Sequence, residues 1–192
     1  MRYALTLVLS VLTAIPLGAV LRDSHRPAPL PWADVVQLAS FDPAGGQLVG
    51  VRLIIDAFVR SDLAAENTSD AQDLVHAQAA SLVRVALPSG VTVAELPFGA
   101  EVTWSLAPFD GKHDFAGASG RSIRLAGRRH AEVLIDDPGV LLYFVGPVGG
   151  GGTVELPVSA DGMTSILGGM KLEQLAGQAA GVRVQVEYFA VP

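Results

Sequence analysis

The chain has 192 residues, which is enough for one domain with short extensions. Half of the residues are hydrophobic, and 21 glycines with 12 prolines favour many strands separated by turns over long helices. The chain has no cysteine, which excludes disulfides, thiolate metal sites and cysteine nucleophiles, and its formal net charge of −6 argues against nucleic acid as a partner.

The N-terminus has the pattern of an export signal. Arg2 precedes the uncharged apolar stretch from Tyr3 to Leu21, and Ala19 offers a cleavage position. We expect residues 1–21 to be a cleaved signal peptide. An uncleaved signal-anchor helix is the rival, because the stretch is just long enough to span a bilayer. Either form predicts a secreted, extracellular or periplasmic protein that contacts a membrane only through this segment, if it is uncleaved.

Residues 22–33 are rich in proline, which forces extended backbone. They are predicted to be a tether between the export segment and the domain, with Trp32 at the beginning of the fold.

From residue 34 to residue 192 the apolar residues recur with the period of two that is typical of strands. The alternation that follows Gln47 is longer than a usual strand, and we expect it to bend and to contribute to two sheets. The segment from Leu74 to Pro88 favours a strand, although its alanines leave a helix open. The domain is therefore predicted to be all-β, a two-sheet β-sandwich preceded by an N-terminal signal or anchor helix.

Three local patterns add detail to this sandwich. Residues 91–96 and 101–109 are predicted to be two strands separated by Pro-Phe-Gly-Ala. Gly127 is predicted to form a β-bulge. The apolar run 140–146 is predicted to be a strand buried on both faces.

Five motifs occur in a fixed order along the chain: FDPAGGQLVGVRLII, AEN with TSDAQ, FDGKHDFAGASG, GGTVELPVSA and VRVQVEYFAV. In that order the chain resembles the choice-of-anchor E domain of bacterial exported proteins, over about residues 35–191. The resemblance implies a secreted or surface protein with no established activity and no catalytic residues to assign. Many members end in a sorting tail such as PEP-CTERM. The printed chain shows no such tail, so we expect release, or retention through the N-terminal segment.

Polar residues in two loops are weak candidates for metal binding. Asp110, His113 and Asp114 lie close together in the central loop, and Asp136 with Asp137 precedes a Pro-Gly pair. Neither group matches a Ca²⁺-loop or zinc pattern, and turn chemistry explains both. No metal or cofactor is therefore predicted.

Ser119 lies between glycines and invites comparison with a nucleophile elbow. The position two residues later, which should be glycine, is Arg121, and the elbow also needs an α/β sheet. We therefore interpret Ser119 as a loop serine and assign no catalytic residue. The four histidines, His25, His76, His113 and His130, form no paired metal motif.

The basic cluster of Arg121, Arg124, Arg128, Arg129 and His130 is interpreted as the solvated face of a strand. A sugar-stacking platform made by Trp32 and Trp104 is a further possibility. The alternation around Trp104 favours a place in the core instead.

These patterns predict a non-enzymatic exported β-sandwich that is a structural or adhesive module of the cell surface or extracellular matrix. Its partner is unknown. Self-association, other surface proteins and polysaccharide are the classes considered. A carbohydrate-binding module, with or without Ca²⁺, is the first alternative and needs a solvent-facing aromatic pair or a Ca²⁺ loop. A hydrolase is the second and needs a nucleophile and a base that converge.

Overall fold

The computed structural model describes residues 15–169 and 171–192; of residues 15–23 and 25 it describes the backbone alone. Residues 1–14 of the predicted export segment therefore lie outside the described residues. The strands are β1 (Ile15–Pro29), β2 (Trp32–Ala39), β3 (Gln47–Asn67), β4 (Asp73–Ala86), β5 (Thr92–Leu106), β6 (Gly120–Ile135), β7 (Thr153–Leu167) and β8 (Leu172–Val191). One short helix, α1 (Pro138–Leu141), lies between β6 and β7 in this part of the chain.

The strands form two four-stranded sheets. Sheet A has the order β1-β8-β3-β6 and sheet B the order β2-β7-β4-β5, and all pairs within the sheets are antiparallel. This order, with β1 beside β2 and β5 beside β6 at the two flanks, is that of a jelly roll. The predicted all-β two-sheet sandwich is confirmed.

The core lies between the sheets and follows from the alternation of apolar residues. On β3, Val51, Leu53 and Ile55 are fully buried, as the period of two predicts. A bulge between Leu48 and Gly50 shifts the alternation, so that Leu48 rather than Val49 is buried. Along β4 and β8 the predicted inward positions are also buried: Val75, Ala77, Ala79, Ser81, Val83, Val85, Val182, Val184, Val186 and Tyr188.

A polar contact crosses the core between its larger and smaller apolar clusters. The amide nitrogen Nε2 of Gln178 donates to Ser61 Oγ at 3.1 Å and to Ser81 Oγ at 2.8 Å. Ser61 lies in sheet A and Ser81 in sheet B, so this side chain joins the two sheets.

Several sequence predictions need correction. The long strand β3 does not serve both sheets. It stays in sheet A, where β8 and β6 pair with it over most of its length. Its length is accommodated because both neighbours are long as well. The two strands predicted between residues 91 and 109 are one continuous strand, β5. Pro97 is exposed on this edge strand, where a missing N–H is tolerated.

The run 140–146 is not a strand. It contains the end of α1 and a 3₁₀ turn, Leu142–Phe144, and Leu142 is 72% exposed. The carboxylate of Asp137 accepts hydrogen bonds from the backbone N–H groups of Gly139 and Val140. Asp137 therefore caps the N-terminus of α1, and a helix begins where a strand was expected.

Gly127 does not form a bulge, since the β3–β6 register is unbroken there. A Cβ atom at this position would collide with the ring of Phe98. Glycine is needed here for the close approach of the two sheets.

The segment predicted to be a tether differs most from expectation. Residues 22–29 belong to β1, which pairs with β8, and Trp32 begins β2. Prolines suit this position because β1 is an edge strand. The backbone of Ile15 to Leu21, inside the predicted export segment, is also part of β1. No helix in the described residues is long and apolar enough to cross a membrane.

Candidate functional site

The central loop between β5 and β6 carries three of the predicted metal candidates, and the structure does not bring them together on one point. Asp110 accepts from the backbone N–H of Lys112, and Asp114 from that of Ala116, each at 3.0 Å. His113 contacts Glu173 of β8 at 2.9 Å between Nδ1 and Oε1. The three polar side chains therefore stabilise the conformation of the loop and its contact with β8.

Across the described residues, no group of three His, Asp or Glu side chains is arranged to hold a metal ion. The second pair of candidates is divided between two roles: Asp137 caps α1, and Asp136 is exposed beside it.

Ser119, the serine compared with a nucleophile elbow and interpreted as a loop serine, is closed to substrate. Ser119 has no exposed surface, and its Oγ has no hydrogen-bond partner. Its backbone carbonyl accepts from Asn67 at 2.9 Å, which joins the central loop to the end of β3. This hydrogen bond therefore holds the central loop against the end of β3.

Sequence reasoning missed a buried carboxylate beside this serine. Glu66 is fully buried on the outward side of β3, and neither carboxylate oxygen has a hydrogen-bond partner. The central loop covers it, because a Cβ added to Gly120 would collide with Glu66 and with the backbone at Ala116 and Phe115. Glycine at position 120 lets the loop close over the acid.

The basic cluster on β6 is divided between the two faces of the strand. Arg124, Arg128 and His130 share the outer face of sheet A, where Arg124 binds Asp62 and His130 binds Asp56. The Arg129 guanidinium lies 5.8 Å from the centre of the Phe98 ring, on the other face, and its Nε donates to the carbonyl of Pro97. The interpretation as one solvated face is therefore wrong for Arg129, and also for Arg121, which lies on the same face of β6 as Arg129, opposite Ala65.

The predicted tryptophan platform is not formed. Trp104 is 5% exposed in the smaller apolar cluster, whereas Trp32 packs against the larger one and donates from Nε1 to the carbonyl of Ala180. Of the histidines not yet described, His76 contacts Thr103 Oγ1 at 3.0 Å, and the side chain of His25 lies outside the described residues.

One flank of the sandwich has an open strand edge in each sheet. The pairing of β8 with β1 ends at Ala179, and that of β7 with β2 ends at Ala160. Residues 172–178 of β8 and 161–167 of β7 therefore continue past the last paired residue of their neighbours. We call this region the open flank. Its exposed apolar side chains are Met163, Leu167 and Leu175, with exposures of 69%, 61% and 59%.

The outer face of sheet A carries a groove of about 740 Å³. Phe58, half-buried, is in its lining, and Ala126 and Ala179 are the small residues there. Three arginines line the groove: Arg26 from β1, Arg60 from β3 and Arg128 from β6. We call this the arginine groove.

No protein-family model and no curated protein matches this chain. Among solved structures, a mutant VP2 protein of infectious bursal disease virus aligns with 88% of this chain and 37% of its own, at 13% identity and a TM-score of 0.17. A structure of the Gx strain of that virus aligns with 93% of this chain and 47% of its own, at 13% identity and a TM-score of 0.17. The chain spans less than half the length of these viral chains.

Proposed function

We propose that this chain is an exported, non-enzymatic β-sandwich protein that is a structural or adhesive module of the cell surface or extracellular matrix. The apolar segment from Tyr3 to Leu21 supports export. The open flank is the observation that carries the adhesive role, because unpaired strand edges are templates for pairing with another chain. The occupant we propose for this edge is a second copy of the same chain.

The backbone of β8 is oriented for such pairing. The carbonyl of Gln178 accepts from the backbone N–H of Leu30 at 3.1 Å, so it points away from β3. Backbone groups alternate in direction along a strand. Those of Leu172, Gln174 and Ala176 therefore also point outward, beyond the last residue that β1 pairs.

The side chains of this edge are compatible with antiparallel self-pairing. A two-fold axis at Leu175 places Leu175 opposite its own copy, Gln174 opposite Ala176, and Glu173 opposite Gly177. No like charges face each other in this register, and an apolar pair lies at its centre. Natural edges are usually protected by lysine, proline or a bulge. Residues 172–177 contain none of these, and their only charge is that of Glu173, which contacts His113.

Sedimentation velocity over a concentration series tests the proposal on the chain as the producing cell processes it. We expect the average mass to rise with concentration. Ala176→Pro should abolish this rise, because it removes an outward N–H that the monomer does not need. Leu175→Lys should do the same by placing two lysines opposite each other.

Leu134→Lys is the matched control, since Leu134 is 66% exposed on β6 and lies opposite Arg52, far along sheet A from residues 172–177. It should associate like the wild type. A wild-type chain that stays monomeric at high concentration and binds neither cells nor matrix would rule out the proposal. Equal association of all variants would rule out the β8 edge.

A hydrolase is disfavoured by the burial of Ser119, the one serine with a motif to support it. The carbohydrate-binding alternative loses its tryptophan platform, because Trp104 is in the core.

A further inference from the structure

We infer that the arginine groove is a binding site for an acidic oligosaccharide, a chain of sugars that carry carboxylates. This goes beyond the structural role, because the groove lies on the outer face of sheet A and not at the open flank. Either proposal can fail without the other.

Among the described residues, two of the three arginines of the groove have no carboxylate partner, and the third shares its acid with Arg124. Arg60 Nε lies 3.0 Å from Asp62 Oδ2, and Asp62 also accepts from Arg124 at 2.6 Å. Within the described part of the chain, neither Arg26 nor Arg128 has a carboxylate partner. Like charges in one groove repel, and an anion between them removes that repulsion.

The groove combines charge with an apolar surface. Phe58 lies directly opposite Arg128 in the β3–β6 register, and Arg60 lies opposite Ala126 and Ala179. A sugar ring can therefore pack its apolar face on the phenyl ring of Phe58 while its carboxylate reaches a guanidinium. The planar guanidinium fork suits bidentate binding of a carboxylate.

The net charge of the whole chain favours some classes of anionic ligand over others. A net charge of −6 opposes a dense polyanion such as nucleic acid, which needs a broad basic surface. Sparse carboxylates on a sugar chain need only the few cations of this groove. Arg26 follows the predicted cleavage position at Ala19, so a cleaved chain retains all three arginines.

Binding of oligogalacturonate, measured by calorimetry on the chain as the cell processes it, tests the inference. A neutral oligoglucan, a sulfated oligosaccharide and single-stranded DNA of similar length are the comparison probes. We expect oligogalacturonate to bind most tightly and the neutral sugar not to bind. Arg128→Gln should weaken binding by about tenfold, the loss typical of one charged hydrogen bond. Phe58→Ser should weaken it as well.

Arg121→Gln is the matched control, because it removes the same charge from β6 at a residue outside the groove. It should bind oligogalacturonate as the wild type does. The inference is overturned if no probe binds, if the neutral sugar, the sulfated sugar or DNA binds as tightly as oligogalacturonate, or if Arg121→Gln weakens binding as much as Arg128→Gln. Because the readout is sugar binding by the monomer or dimer alike, this result is independent of self-association.

Discussion

At the scale of single residues, the buried acid Glu66 is the least expected feature. From Arg52 onward the even-numbered positions of β3 face outward, and this pattern alone predicts a solvated carboxylate at Glu66. The central loop that buries it comes from a distant part of the chain, and no local pattern announces that cover. Ser119 stands out in the sequence because of its neighbouring glycines, whereas the burial of Glu66 depends on a contact between distant segments of the chain.

We expect Glu66→Met to raise the free energy of unfolding by about 1–3 kcal/mol, because it removes a buried carboxylate without a hydrogen-bond partner at little change in volume. Urea denaturation of both proteins measures the difference. Glu101→Met, at an exposed position on β5 opposite Gln78, is the control and should change stability by less than about 0.5 kcal/mol. A clear loss of stability in Glu66→Met would mean that the acid binds a group that stabilises the fold.

The Asp56 hydrogen bond, with a smaller contribution from Glu132, raises the pKa of His130 above 6.5. A raised pKa in the folded state gives stability that is fully present below the unfolded pKa and lost as pH rises through the folded pKa. Asp56→Asn should therefore destabilise the protein more at pH 5 than at pH 9. NMR titration should show the pKa of His130 falling in this variant. Asp161→Asn, which lies in sheet B, should leave that pKa unchanged.

At the scale of strands, the sequence predicts faces better than it predicts ends and neighbours. The inward positions of β4 and β8 follow from alternation alone, because one buried face imposes a period of two. Three of the wrong predictions have one cause, which is that proline and glycine usually indicate an interruption of a strand. Pro97 is accommodated within an edge strand, the prolines of β1 pair with β8, and Gly127 makes room for a ring.

The role of Gly127 gives a prediction at this scale. Gly127→Ala should lower the free energy of unfolding by about 1–3 kcal/mol, since the new methyl group forces the Phe98 ring to move. Gly99→Ala on β5 is the control, because nothing lies within 4 Å of its added Cβ. Thermal or urea unfolding compares the two. Equal stability of Gly127→Ala and the wild type would show that the sheets can separate there without cost.

At the scale of the whole molecule, composition and alternation predict the all-β sandwich, and the order of its strands lies beyond them. Pairing β1 with β8 joins the two ends of the chain, and no local signal in residues 15–29 specifies that partner. The candidate sites are also products of this assembly. Residues of β1, β3, β6 and β8 line the arginine groove. The open flank exists because β1 ends opposite Ala179 and β2 begins opposite Ala160, so that the remaining residues of β8 and β7 have no neighbouring strand on that side in the described part of the chain.

Export gives a prediction for the whole chain. We expect intact-mass analysis of the protein recovered outside the cytoplasm to show a chain that begins after Ala19. Such a cut removes Ile15–Ala19 from β1 and leaves the part that pairs with residues 179–186 of β8. A mass that begins at Met1 would indicate a signal-anchor, and recovery in the cytosol would contradict export.

The most direct measurement is hydrogen exchange of the β8 edge at low and high protein concentration, read by NMR at the amides of Gln174 and Ala176. Antiparallel pairing between copies predicts that both amides become protected as concentration rises, while exposed loop amides such as that of Gly111 do not. Exchange at Gln174 and Ala176 that stays the same at every concentration would contradict an adhesive role for this edge.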